Sequence, residues 1–263
     1  GRIVCACRDF TFPDSRLVNF HDLKNSLSDD EPGFTEDAST GSGVVLADVR
    51  SAIHRIPVLR SIDGVSDRFW DMFVVDAFIR NIDRNNTNWG VLRNPRGEFS
   101  LAPVYDNGNS FNNKRTDSGI ERRLANPDLI RQDALDVRSC YVTDRGKPIA
   151  PLKYLASGQD EECTKALDRF MERYDPRSFH DLLGSIPSMS HGLTVVPDGF
   201  HEYHRRVCDY RYEHAFMEAW RDLHPTVGVP SSPEASVPEP LPDPDPSVLP
   251  SSSVPTCFDG PGM

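Results

Sequence analysis

The stretch Asn81-Ile82-Asp83-Arg84-Asn85-Asn86-Thr87-Asn88-Trp89-Gly90 gathers polar side chains directly after the most apolar segment of the chain, and that density needs a reason. Trp89 to Arg93 and Glu98 to Val104 then read as two short strands, with Asn94-Pro95-Arg96-Gly97 as the turn between them. The chain returns as Tyr105-Asp106-Asn107-Gly108. Paired strands lie about 5 Å apart, so the open end of this hairpin brings Asn88 beside Asp106 across eighteen residues of sequence. An amide oxygen and a carboxylate presented together, with a second carboxylate, Asp83, five residues before the amide, suit a hard cation such as Mg²⁺ that also holds phosphates.

Phosphoryl transfer needs such a set. Protein kinases place an Asp on the catalytic loop five residues before a metal-binding Asn, then a hairpin, then Asp-x-Gly for the metal, and Asp83, Asn88 and Asp106-Asn107-Gly108 reproduce that order and step. On this reading Asp83 orients or deprotonates the attacking hydroxyl, while Asn88 and Asp106 hold Mg²⁺ on the nucleotide phosphates. The plain alternative is an Asx-rich turn that caps the preceding helix. A calcium loop would explain Asp83-x-Asn85-x-Thr87, but Asn88 stands where its Gly belongs and Asn94 where its Glu belongs. Arg84 either stabilises this loop through a salt bridge or contacts a phosphate.

These residues resemble the HipA-type serine/threonine kinases, including the smaller CtkA-like members. The likeness runs roughly from Ile3 to Trp220 and is most specific in Asn81-x-Asp83-Arg84-x-x-x-Asn88-Trp89-Gly90 followed by Pro103-Val104-Tyr105-Asp106. It implies that Asp83 is the catalytic Asp, that Asn88 and Asp106 are the metal ligands, and that ATP and Mg²⁺ are used to phosphorylate a protein hydroxyl. It also implies a hinge that touches adenine through backbone groups, a place taken here by Cys5, Ala6, Cys7 and Arg8. A complete kinase needs a Gly-rich loop and a phosphate-pairing Lys before that hinge. Four residues precede Cys5, the first Lys is Lys24, and Gly41-Ser42-Gly43 falls after the hinge. The expected fold is therefore mainly α with a small β-hairpin, a protein-kinase-like large C-terminal lobe of HipA type with the N-terminal lobe largely absent. Two functional readings follow: a kinase lobe, or a truncated, pseudokinase-like binding module that lacks the ATP-clamping lobe. The resemblance further suggests a protein substrate and an antitoxin-like regulator as partners.

Several elements must position the loop. Ser66 to Ile82 carries apolar residues on almost every face and reads as the central core helix, with Ser66 as its N-cap. Leu46, Val49, Ile53 and Ile56 form an amphipathic helix that must end near Pro57. Cys163 to Tyr174 gives another helical stripe, and a longer helix starts at Asp198 and continues through Met217. Ile3 to Cys7 and Leu17 to Phe20 read as strands. His201, His204 and Cys208 share one helix face without a partner pair at zinc spacing, so packing explains them.

The domain reading is residues 1–27 as hinge and start of the lobe, 28–43 as an acidic loop, 44–225 as the helical lobe and 226–263 as a disordered tail. That tail holds 10 of the 22 prolines, five acids and no Lys or Arg. Over the 263 residues the net charge is −11, which argues against direct nucleic-acid binding as the main task. No apolar run is long enough to span a membrane. The six scattered cysteines lack any C-x-x-C pair and read as reduced thiols, so a cytoplasmic location is expected.

Overall fold

The computed structural model describes residues 9–11, 13–28 and 43–225. Cys5, Ala6, Cys7 and Arg8, the strand expected over Ile3 to Cys7, nearly all of the 28–43 loop and the whole 226–263 tail lie outside the described residues.

In chain order the elements are β1 (Arg16–Asn19), α1 (Phe20–Ser28), β2 (Val44–Val45), α2 (Leu46–Arg55), α3 (Pro57–Arg60), α4 (Val65–Ile79), β3 (Gly90–Arg93), β4 (Phe99–Leu101), α5 (Asp117–Leu124), α6 (Pro127–Leu135) and β5 (Tyr141–Val142). Then come α7 (Pro151–Ser157), α8 (Glu161–Arg173), α9 (Pro176–Gly184), β6 (Met189–Ser190), β7 (Leu193–Thr194), α10 (Phe200–Arg211), a π-helical turn (Tyr212–Phe216) and α11 (Met217–Leu223). The expected hairpin is β3–β4, in register Val91 to Leu101 and Arg93 to Phe99, and β1 joins it antiparallel on the other side. Gly90 is required where β1 and β3 meet, because a Cβ there would overlap the Val18 carbonyl oxygen.

Helix α4 runs through the core as its composition predicts: Phe69, Trp70 and Val74 are fully buried, with Phe73 nearly so. Each such side chain contributes roughly 1.5–3 kcal/mol by leaving water. Its ends differ from the expectation. Gly64, in the left-handed region at φ 77°, takes the N-cap position, while the Ser66 hydroxyl donates to Glu162 Oε1 at 2.8 Å. At the other end Arg80 turns left-handed, φ 58°, and the Asn81 N–H closes on the Asp76 carbonyl at 2.9 Å. The helix thus stops at Ile79 and releases residues 80 to 83 into the loop.

A second, smaller cluster forms from Ile120, Ile130, Ala134, Tyr203 and Val207 where α5, α6 and α10 meet. The helix expected from Asp198 begins at Phe200 behind left-handed Gly199 and is broken by the π turn before α11. His201 bonds the Ile186 carbonyl at 2.8 Å, His204 bonds the Phe111 carbonyl, and Cys208 is buried, so this stripe packs. Cys140, Cys163 and Cys208 are buried free thiols. Among the described residues no helix is long and apolar enough to cross a membrane.

Candidate active site

The loop between α4 and β3 is organised by one guanidinium. Arg84 is 2% exposed, and its Nε and one terminal nitrogen donate to the two Asp76 carboxylate oxygens at 2.9 and 3.1 Å. Its other terminal nitrogen donates to the Asn88 carbonyl at 2.8 Å and also to the Tyr105 carbonyl, so a single atom touches both arms of the hairpin's open end. Arg84 also donates to Asn107 Oδ1. From below, the Tyr141 hydroxyl on β5 donates to the Arg84 carbonyl at 3.1 Å. Burial pushes the Asp76 carboxyl above its ordinary range, against the pull of Arg84 and of the Asn81 amide. Burial likewise opposes the charge on Arg84, but the ion pair outweighs it and raises the guanidinium pKa.

This clamp shapes both metal-ligand candidates. Asp106 sits between two residues held by Arg84, Tyr105 through its carbonyl and Asn107 through its side chain, and its own backbone is left-handed at φ 53°. A non-glycine residue in that region is strained, and the flanking bonds hold it there. The Asp106 carboxylate is exposed and makes no hydrogen bond or ion pair among the described residues. Asn88 is buried, and its Nδ2 donates to the Asp83 carbonyl at 2.7 Å, which turns its Oδ1 away from that bond. Oδ1 meets only the Thr87 hydroxyl at a long 3.3 Å, so it keeps lone-pair capacity for a cation.

Asp83 is fixed from both sides. Its Oδ1 accepts from Asn85 at 2.9 Å, and its Oδ2 accepts from Asn109, three residues past Asp106, also at 2.9 Å. The Asp83 carboxylate therefore faces the segment that carries Asp106. Tyr105 adds a further tie: its hydroxyl lies 3.0 Å from both Asn19 Oδ1 and the Thr87 carbonyl, linking the segment that carries Asp106 to the end of β1. Burial pushes this phenol up to about 12, which keeps it a neutral donor.

Of the residues singled out in the sequence, Asp83, Asn88 and Asp106 thus lie on loops joined by Arg84 and Asn109, while Cys5, Ala6, Cys7 and Arg8 are outside the described residues. Asp76 and Asn109 escaped sequence reasoning. The signal for Asp76 was an acid in the most apolar helix, eight residues before an Arg; Asn109 had none, in a segment crowded with Asn. The donor set, one amide and one carboxylate beside a third oxygen group, fits a cation that shares its shell with phosphates and water. No group of three His, Cys, Asp or Glu side chains able to hold a metal occurs among the described residues. The site has the chemistry to align a nucleotide's phosphates against a hydroxyl.

Comparison with known proteins gives the same direction. The serine/threonine-protein kinase CtkA of Helicobacter pylori strain J99 is 33% identical over 192 residues, which cover 72% of this chain and 57% of that protein. The chain therefore spans little more than half the length of this curated relative. A crystal structure of a Helicobacter pylori proinflammatory kinase CtkA matches with a TM-score of 0.72 at 27% identity, over 84% of this chain and 76% of that one. No protein-family model matches the chain.

Proposed function

From the premise that the chain is a homologue of the CtkA-type serine/threonine-protein kinases and carries their HipA-like fold, we propose that it transfers the γ-phosphoryl group of ATP to a serine or threonine hydroxyl of a protein, with Mg²⁺ as cofactor. Asp83, oriented by Asn85 and Asn109, accepts the proton of the attacking hydroxyl through a free lone pair of its carboxylate. Asn88 Oδ1 and the Asp106 carboxylate are the groups that would hold Mg²⁺. When bound, the ion would supply positive charge against the nucleotide's phosphates. The hydroxyl oxygen bonds to the γ-phosphorus, the bond to the bridging oxygen breaks, ADP leaves, and the proton resides on Asp83.

The observation that carries this reading is the Arg84 clamp, which binds the Asn88 and Tyr105 carbonyls with one nitrogen and so sets the two ligand-bearing loops side by side. The test is transfer of radiolabel from ATP to protein. Asp83→Asn is expected to lower the rate about 10²–10⁴-fold. Asp106→Asn is expected to bring it to background with an unchanged melting temperature, because the Asp106 carboxylate makes no bond that the fold uses. Full activity in either variant rejects the proposal. Absence of both calorimetric Mg-ATP binding and transfer would point instead to the non-catalytic binding module.

A further inference from the structure

Beside Asp83 two segments run together. The first, residues 80 to 84, is tied at its start by Arg80 Nε donating to the Asp136 carbonyl at 3.2 Å and at its end by Tyr141 donating to the Arg84 carbonyl at 3.1 Å. Between these ties Ile82 lies on the first segment and Arg138 on the second, residues 136 to 141. Ile82, the residue before the proposed base, is 40% exposed, and Leu135, the residue before Asp136 at the end of α6, is 46% exposed. Both arginines have charge to spare. The terminal amino groups of Arg80 have no bond among the described residues. Arg138 meets Asp136 at 3.5 Å, with side chains 74% and 49% exposed, a pairing that water screens and an incoming carboxylate can replace.

Two exposed aliphatic side chains and two available guanidinium groups, carried on segments that are tied together, are complementary to a segment that alternates acidic and aliphatic side chains. We propose that this seam, Arg80, Ile82, Leu135 and Arg138, docks the protein segment bearing the phosphorylated hydroxyl, and that it selects acidic residues and an aliphatic residue close to that hydroxyl. The inference rests on the kinase reading of Asp83. It adds the class of substrate: an acidic-aliphatic peptide.

The test separates docking from chemistry. Fluorescence anisotropy measures binding of two labelled peptides to the full chain, one with a central Ser flanked by Glu and Leu, the other with each Glu replaced by Lys, while radiolabel transfer to the same peptides is followed in parallel. The acidic peptide should bind more tightly. Arg138→Glu should weaken it about fivefold or more and tighten the Lys peptide. Ile82→Ser should weaken both, since it removes apolar contact and not charge. Arg138 is mostly solvated, so its variant should fold, and a circular dichroism melt checks that. Equal binding of the two peptides by the parent chain, or no reversal in a folded Arg138→Glu, overturns the seam even if phosphate is transferred. Discriminating binding with no transfer supports the seam and rejects the kinase reading.

Discussion

Arg84 carries a load that a lysine cannot, because its planar fork reaches a carboxylate on one side and three oxygens of the ligand loops on the other. Arg84→Lys should fold but transfer phosphate about 10–100-fold more slowly, in the way that loss of a group supporting metal ligands does, and should need more Mg²⁺ for half-maximal rate. A rate titration with Mg²⁺ checks this; an unchanged Mg²⁺ requirement would show that the clamp is not what aligns Asn88 and Asp106. Arg84→Ala should instead cost about 3–5 kcal/mol in chemical denaturation, because it strands the buried Asp76 carboxylate. That the loops carrying Asp83, Asn88 and Asp106 come together was legible in the sequence, because a five-residue loop step and a short hairpin are local constraints. Asp76 was not, because helix periodicity says which face is buried but not that one acid on that face has a cation waiting for it.

Elements carry the site through two close approaches. Gly90→Ala would drive a methyl group into the Val18 carbonyl, and neither strand can yield without shifting Trp89 and Asn88. A loss of about 1–3 kcal/mol is expected in denaturant melts, together with weaker Mg-ATP binding. The other approach is α10 against the segment after Asp106, where the buried His204 ring bonds the Phe111 carbonyl. Burial lowers the His204 pKa below 6.5, with the contacts to the Phe111 and Phe200 carbonyls opposing and Arg211 assisting. A base whose folded pKa is depressed contributes its full stability above the unfolded value and loses it as pH falls toward the folded one. The melting temperature should therefore decline as pH drops below 6.5, and the decline should be shallower in His204→Gln. The hairpin, β1, α2 and α8 were readable from alternation and period, within a few residues. Helix α4 ended early because the left-handed turn at Arg80 is stabilised by a backbone bond to Asp76, and the π turn in the last long helix left no mark on the apolar spacing.

At the scale of the whole molecule, Arg211 joins the two apolar clusters. It is 1% exposed and bonds the Phe78 carbonyl at the end of α4, together with the Asp133 and Ala134 carbonyls at the end of α6, at 2.9 and 2.7 Å for the latter two. A cation at two helix C-termini meets their carbonyls and dipoles at once, although burial lowers its pKa. Arg211→Met leaves those carbonyls short of donors, a loss of roughly 2–4 kcal/mol, and should split one calorimetric unfolding transition into two. A single transition in this variant would show that packing alone couples the clusters. Local order in the chain was enough to identify the polar loop, the hairpin, the apolar helix and the family likeness, since each depends on neighbours a few residues apart. Only the folded molecule could decide that Asp76, Arg84, Tyr105, Asn107 and Asn109 form one network around the three oxygen-bearing side chains. Those bonds join residues up to twenty-six positions apart, and they exist because burying the core helix brings both loops over the same desolvated guanidinium, a cause that no spacing along the chain records.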